Sequence, residues 1–175
     1  MKVRLLLILC LVMGGLVKTF AQHNKLYFGL GSLVKGDFHL ERAWVQENNN
    51  FWGLSLGVHN NAYTYNVVLE RGLVLAFHSK KNACLGLYLT PHLGSHTQVA
   101  FLHWGGTFVA QAISTGMSID ATIEKGLLGI RLQLGQAFGY PFIRTSRFSD
   151  FVLPEIMYYG TQPILSFSVS MKLRK

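Results

Sequence analysis

The segment that decides the fold is Leu128–Gly135, which reads Leu-Gly-Ile-Arg-Leu-Gln-Leu-Gly. Bulky apolar residues occupy every second position, and glycine or polar residues occupy the positions between them. This period of two is that of a β-strand, whose successive side chains point to opposite faces of a sheet. The same alternation recurs in other segments, and none of them sustains the period of about 3.6 residues of an amphipathic helix. The chain is therefore predicted to be all-β; the other alternating segments are 52–59, 63–70, 117–124 and 165–173.

The alternation divides the chain into eight predicted strands joined by two kinds of connection. Short polar sequences with good turn chemistry lie at 47–50, 79–82 and 124–126. Longer connections cover about 96–106 and 143–160. If neighbouring strands are antiparallel, all the short turns lie at one end and both long loops at the other. The predicted strands are about 25–34, 37–46, 51–60, 62–78, 83–95, 107–124, 126–142 and 161–174.

Residues 1–21 have the features of a secretory signal peptide. Lys2 and Arg4 precede the apolar stretch 5–17, and the small residue Ala21 marks the expected cleavage site. The ending of this segment, Ala-Gln after an aromatic residue, resembles signal peptides of the Bacteroidota. The apolar stretch is shorter than the roughly 18 residues of a membrane-spanning helix. Residues 22–175 are then the mature protein, which is predicted to be a single barrel domain.

Composition and charge exclude several classes of protein. The chain of 175 residues is 50% apolar and only 14% charged, which argues against disorder. Removal of the export segment leaves 13 basic and 8 acidic residues, a net charge of +5. These charges are scattered without a basic stripe, so we expect no nucleic-acid partner. Cys84 is the one cysteine of the predicted mature chain, so it has no intramolecular disulfide partner.

The composition of the alternating positions distinguishes two kinds of barrel. The non-apolar set consists of Gly, Ser, Thr and Gln with a few charges, whereas a solvated face is usually rich in Lys and Glu. Small polar residues fit the narrow lumen of an eight-stranded barrel, and bulky apolar residues fit a lipid-facing exterior. We therefore expect an eight-stranded antiparallel up-and-down transmembrane β-barrel. The alternative is a soluble periplasmic ligand-binding barrel whose cavity is lined by Trp52, Leu54, Ile130, Leu132 and Phe167.

Over residues 25–174 the pattern and length resemble the small eight-stranded outer-membrane β-barrel superfamily. One departure is the end of the last strand, Met171–Lys175, which lacks the terminal aromatic residue often found in that superfamily. Residues 61–65 and the strand–turn–strand segment 73–94 are similar in rhythm to the conjugative-transposon TraO proteins of Bacteroidota. These resemblances imply location in the outer membrane, with outer-membrane lipids and the barrel-assembly machinery as partners. The second also implies surface or transfer-machinery protein partners.

Four charged residues fall on the polar face of their predicted strands: Glu70, Asp120, Glu124 and Arg131. An isolated charge in a narrow lumen is costly, so these side chains are expected to pair. We predict a structural salt-bridge network that fills the barrel. The functional alternative is a path for protons or ions.

Other residues suggest chemistry more weakly. His92, Ser95, His96 and His103 are predicted near the third outer loop, where a His with a Ser could act on a lipid. No metal-ligand spacing accompanies these histidines, and we predict no metal, cofactor or catalytic residue. Residues 53–57 match G-x-S-x-G, but the motif lies inside a strand and not at the sharp turn that a nucleophile requires. We interpret it as small residues facing the lumen.

Several outward residues are predicted near the membrane interfaces. Arg42 has the parity of the lipid-facing residues, so we expect either a bulge or an interfacial position. Pro141, Pro154 and Pro163 are expected to mark the fourth outer loop and its strand entries. The aromatic residues expected to form the interfacial girdles are Trp52, Tyr63, Tyr65, Tyr140, Phe142, Tyr158 and Tyr159.

The sequence predicts an outer-membrane barrel with a structural, surface-contact or assembly role and no open pore. Whether it has enzymatic activity is left open, with a non-enzymatic role favoured. The alternatives are an accessory component of conjugative transfer, a lipid A-modifying barrel enzyme and the soluble periplasmic barrel.

Overall fold

The computed structural model describes residues 23–32, 34–59, 63–81, 83–101, 107–146 and 160–173. The predicted signal peptide, residues 1–21, lies outside these ranges. All eight predicted strands form, which confirms the all-β prediction. They are β1 (His23–Gly31), β2 (Phe38–Val45), β3 (Phe51–Val58), β4 (Tyr63–Lys80), β5 (Ala83–Phe101), β6 (Thr107–Lys125), β7 (Leu128–Ser146) and β8 (Gly160–Leu173).

The eight strands form one closed antiparallel barrel in which each strand pairs with its neighbours in sequence. The barrel closes where β1 pairs with β8. The up-and-down topology is therefore confirmed. The connections β2–β3, β4–β5 and β6–β7 lie at one end, which we call the turn end. The other connections lie at the opposite end, which we call the loop end. No helix in the described ranges is long and apolar enough to cross a membrane.

The register of the strands fixes the width of the barrel. Following the paired residues from Lys25 through β2 to β7 leads to Gln162 on β8. Lys25 itself pairs with Lys172, so one circuit shifts the register by ten residues, from 162 to 172. Ten residues of shear on eight strands give a strand tilt of roughly 40° and a backbone radius of about 8 Å. Such a lumen has room for side chains only.

The two faces of the sheet have the polarity that the sequence predicts. Large apolar side chains are exposed on all eight strands; Phe28, Leu56, Leu134 and Leu165 are each more than half exposed. The buried set includes lysine, glutamate, aspartate, arginine, histidine and several serines and threonines. The five residues proposed to line a soluble cavity have the parity of the outward set, and three of them, Ile130, Leu132 and Phe167, are more than 40% exposed.

Two β-bulges change the alternation of the strands. On β4 the register shifts between Val74 and Ala76, so Leu75 is an extra residue. Beyond this bulge Phe77 pairs with Gly86, which lies on the inner face of β5, although simple alternation predicts Phe77 on the outer face. On β7 the extra residue is Phe142, next to Pro141, whose missing N–H fits a bulge.

Arg42 does not lie at a bulge, because β2 pairs in continuous register with β1 and β3 through this residue. Pro141 and Pro163 lie inside β7 and β8 and do not mark strand entries. The strands β5 and β7 run to Phe101 and Ser146, so the predicted loops at 96–106 and 143–160 are shorter than expected. Pro154, Tyr158 and Tyr159, which also have predicted positions, lie outside the described residues.

Candidate functional site

The lumen concentrates almost all of the buried charge. Its turn end is filled by an apolar cluster of Tyr27, Ala43, Val45, Phe51 and Tyr88. The rings of Phe51 and Tyr88 meet edge to face with centroids 5.3 Å apart. Next along the barrel lies a charged cluster, which we call the lumen network and which consists of Lys35, Glu41, Glu70, His92, Asp120, Arg131 and Gln133.

Arg131 is the centre of the lumen network and is 1% exposed. Its Nη1 lies 2.6 Å from Glu41 Oε1, and its Nη2 lies 2.8 Å from Glu70 Oε2. Asp120 Oδ2 accepts from both Nη2, at 2.5 Å, and Nε, at 3.1 Å. The guanidinium also lies over the Phe51 ring, 4.8 Å from its centroid. One cation thus joins carboxylates from β2, β4 and β6 across the barrel.

The second cation of the network comes from a loop that folds into the lumen. Lys35 lies between β1 and β2 and is fully buried. Its Nζ contacts Glu41 Oε2 at 2.8 Å and also pairs with Glu70. Ser32 fixes the loop to β8, because its Oγ donates to the Pro163 carbonyl at 2.6 Å. The loop therefore closes the lumen above the network.

The network contains three carboxylates and two permanent cations among the described residues. His92 lies beside one of these carboxylates, that of Glu70. Its Nδ1 is 3.1 Å from Glu70 Oε1, and its Nε2 is 2.8 Å from Ser118 Oγ. Ser118 in turn donates to Asp120 Oδ1 at 2.5 Å, and Thr90 donates to Asp120 Oδ2 at 2.7 Å. The excess negative charge is thus surrounded by hydrogen-bond donors, as a buried charge requires.

The structure brings together Glu70, Asp120 and Arg131, three of the four residues assigned to the network from sequence. The fourth, Glu124, lies nearer the turn end, where it pairs with Lys25 and does not contact Arg131. Sequence reasoning missed Glu41 and Lys35. Glu41 could have been found, since it alternates with outward Leu40 and Arg42. Lys35 could not, because nothing in the sequence shows that its loop turns inward.

A second polar chain runs towards the loop end. Asp37 Oδ1 can only accept, so His59 Nδ1 donates to it at 3.1 Å. A neutral imidazole has one donor and one acceptor nitrogen, so His59 Nε2 accepts from Asn66 Nδ2 at 3.2 Å. Asn66 Oδ1 then accepts from His96 Nδ1 at 3.1 Å. Ser114 then donates to His96 Nε2 at 2.6 Å. The chain crosslinks the β1–β2 loop to the loop-end parts of β4, β5 and β6.

The predicted outer-loop residues have a different placement. His92, Ser95 and His96 lie inside β5, because this strand continues to Phe101. Both histidines are buried in the lumen, whereas Ser95 has the opposite parity and faces outward, so it cannot pair with either. The serine that bonds His96 is Ser114, which is 3% exposed. His103 lies outside the described residues.

The G-x-S-x-G sequence serves close packing on the inner face of β3. A Cβ on Gly53 would lie 2.7 Å from Glu41 Oε1, and a Cβ on Gly57 would overlap the Lys35 carbonyl oxygen. The glycines therefore make room for the lumen network and for the inward loop. Among the described residues, no group of three or more His, Cys, Asp or Glu side chains could hold a metal ion.

Comparison of the chain with protein-family models, with curated proteins and with solved structures finds no match.

Proposed function

We propose that this chain is an integral outer-membrane β-barrel with a structural, surface-contact or assembly role, and that its lumen does not conduct ions. The observation that carries the proposal is the polarity of the barrel. Large apolar side chains are exposed on all eight strands, and the charged side chains of Lys35, Glu41, Glu70, Asp120 and Arg131 are buried inside. A water-soluble barrel has the opposite arrangement, whereas a membrane barrel turns its apolar set to lipid.

Closure of the sheet supports the same proposal. Each of the eight described strands is paired on both sides, so this sheet has no open edge whose N–H and C=O groups would lack partners in hydrocarbon. The outward aromatic residues indicate the height of the apolar band. Tyr65 and Tyr140 lie outward towards the loop end and are each more than half exposed, while Trp52 lies outward near the turn end. The strand rise and tilt place these two levels roughly 20 Å apart, comparable to the apolar band of outer-membrane barrels.

The filled lumen supports the proposal that the barrel has no open pore. The turn end is closed by packed rings, the middle by the lumen network and the loop end by the inward β1–β2 loop. Eight strands leave no spare width for an aqueous channel. Binding to other molecules then falls to the loop end, where residues 147–159 separate β7 from β8 in the sequence.

The proposal is tested by expressing the chain with its first 21 residues in a Gram-negative host. We expect recovery from the outer-membrane fraction only with detergent, and faster gel migration of the unboiled than of the boiled protein. We also expect no steady conductance in planar bilayers, because the lumen is filled. A soluble periplasmic monomer would contradict membrane insertion, and a stable ion conductance would contradict the filled lumen.

A further inference from the structure

We infer that Arg42 and Arg71, on the outer face near the turn end, bind the phosphate of an anionic phospholipid headgroup. The inference rests on the proposed insertion of the barrel into a membrane. It adds a specific lipid site to that proposal and assigns the two arginines that would form it.

The register brings the two arginines to one patch of the outer face. Trp44 on β2 lies directly opposite Trp52 on β3, and Trp52 lies directly opposite Arg71 on β4. Arg42 precedes Trp44 by two residues, so it has the same parity. Two strand spacings and an offset of two residues separate the Cα atoms of the two arginines by about 12 Å.

Both guanidinium groups lean towards the pair of indole rings. Arg42 Cζ lies 5.5 Å from the centroid of the Trp44 ring, and Arg71 Cζ lies 4.9 Å from that of Trp52. Each charge thus lies over an indole ring, and the two indoles belong to directly paired residues. Arg71 Nη2 donates to Gln46 Oε1 at 2.8 Å in the β2–β3 turn, whereas its Nη1 has no hydrogen-bond partner among the described residues. This Nη1 is buried against the barrel, so an outside acceptor reaches it only when the Arg71 side chain turns outward.

Among the described residues, no carboxylate forms an ion pair with Arg42 or Arg71. Glu41 and Glu70 are their immediate neighbours in sequence, but adjacent residues of a strand point to opposite faces. Both glutamates therefore point into the lumen, where they pair with Lys35 and Arg131. Within the described part of the chain, the two arginines are left without a counter-charge.

The surroundings of the patch are apolar on both sides along the strands. Leu40 is 46% exposed beyond Arg42, and Leu73 and Leu75 are 38% and 56% exposed beyond Arg71. A charge within such a band is unfavourable unless it meets an anion at the interface. Phosphate is the anion that lipid offers at this depth, and a guanidinium binds it with two parallel hydrogen bonds. A zwitterionic headgroup brings its own ammonium, so an anionic one fits two cations better.

The test uses the full chain with Trp104→Phe in all variants, reconstituted into phosphatidylcholine vesicles with increasing brominated phosphatidylglycerol. Bound brominated lipid quenches Trp44 and Trp52, which lie under the guanidinium groups. We expect the double variant Arg42→Gln with Arg71→Gln to need about tenfold more of this lipid for half-maximal quenching. Brominated phosphatidylcholine is expected to quench both proteins equally.

The charge-matched control is Lys80→Gln with Lys125→Gln. These lysines are exposed on the outer face and flank Ala83 on neighbouring strands at the turn end. The control is expected to behave as the unmodified chain. An equal loss in both double variants would assign the effect to general surface charge and overturn the site.

A third variant guards against misfolding. Arg42→Lys with Arg71→Lys keeps both charges but loses the paired hydrogen bonds, so we expect intermediate quenching in a protein with unchanged gel mobility. Identical curves for this variant, the glutamine variant and the unmodified chain would overturn the inference. Failure of the unmodified chain to insert into vesicles would instead contradict the proposed function itself.

Discussion

Replacement of Arg131 with leucine is expected to be the most destabilising single substitution in the lumen. The side chain pairs with Glu41, Glu70 and Asp120, all of them fully buried. Its removal leaves three carboxylates with Lys35 as the remaining permanent cation of the network. Breaking a buried ion pair by removal of one partner costs about 3–5 kcal/mol. The temperature at which the unboiled band disappears from a gel should fall by roughly 10 °C or more.

Two control variants separate lost pairing from lost charge. Lys125→Leu removes one positive charge from an exposed position at the turn end and should leave that temperature unchanged. Arg131→Lys keeps the charge but cannot reach several carboxylates at once, so we expect an intermediate value. An unaltered temperature for Arg131→Leu would show that the lumen network does not hold the barrel together.

Replacement of Gly57 with alanine is expected to expel the β1–β2 loop from the lumen. The new Cβ would overlap the Lys35 carbonyl oxygen, and this atom belongs to backbone that cannot simply rotate away. Once the loop is displaced, Lys35 leaves Glu41 and Glu70 and becomes exposed. Trypsin should then cut the folded variant after Lys35, which is fully buried in the unmodified chain.

The control for this experiment is Gly126→Asn in the β6–β7 turn. Gly126 has φ +65°, which asparagine tolerates, and a Cβ added there would meet no described atom within 4 Å. The substitution should leave Lys35 protected. A second check compares the stability of the single and double variants. Adding Lys35→Met to Gly57→Ala should lower the free energy of unfolding by almost nothing further, because the contacts of Lys35 are already lost. Protection of Lys35 in the folded Gly57→Ala variant would refute the tight contact between Gly57 and the loop, and cleavage after Lys35 in the folded unmodified chain would refute the inward placement of the loop.

The strand count and topology could be read from the sequence because the period of two persists through almost every strand. The polarity of the two faces was also readable, because the inner set is small or polar and the outer set is bulky and apolar. The bulge at Leu75 was not readable. Its segment, Leu73–Phe77, is apolar throughout, so polarity does not mark the extra residue, which is set by the pairing of β4 with β5.

The lumen network was partly readable for a related reason. Parity identified which face Glu70, Asp120 and Arg131 occupy, and a closed barrel brings inward charges together. Parity says nothing of height along the barrel, so Glu124 was grouped with Arg131 although it pairs with Lys25. Height depends on the shear of ten residues, which only the register reveals. The contribution of Lys35 depends on a loop, where no periodicity operates.

The direction in which the apolar face points is the central claim, and it is tested most directly by a nitroxide spin label at Leu134. This residue lies on β7 and is 53% exposed on the outer face. In reconstituted vesicles, oxygen should relax the label strongly while a water-soluble nickel complex should have little effect. A label at Lys81, in the exposed β4–β5 turn, should show the reverse. Strong relaxation of the Leu134 label by the nickel complex would contradict a lipid-facing exterior.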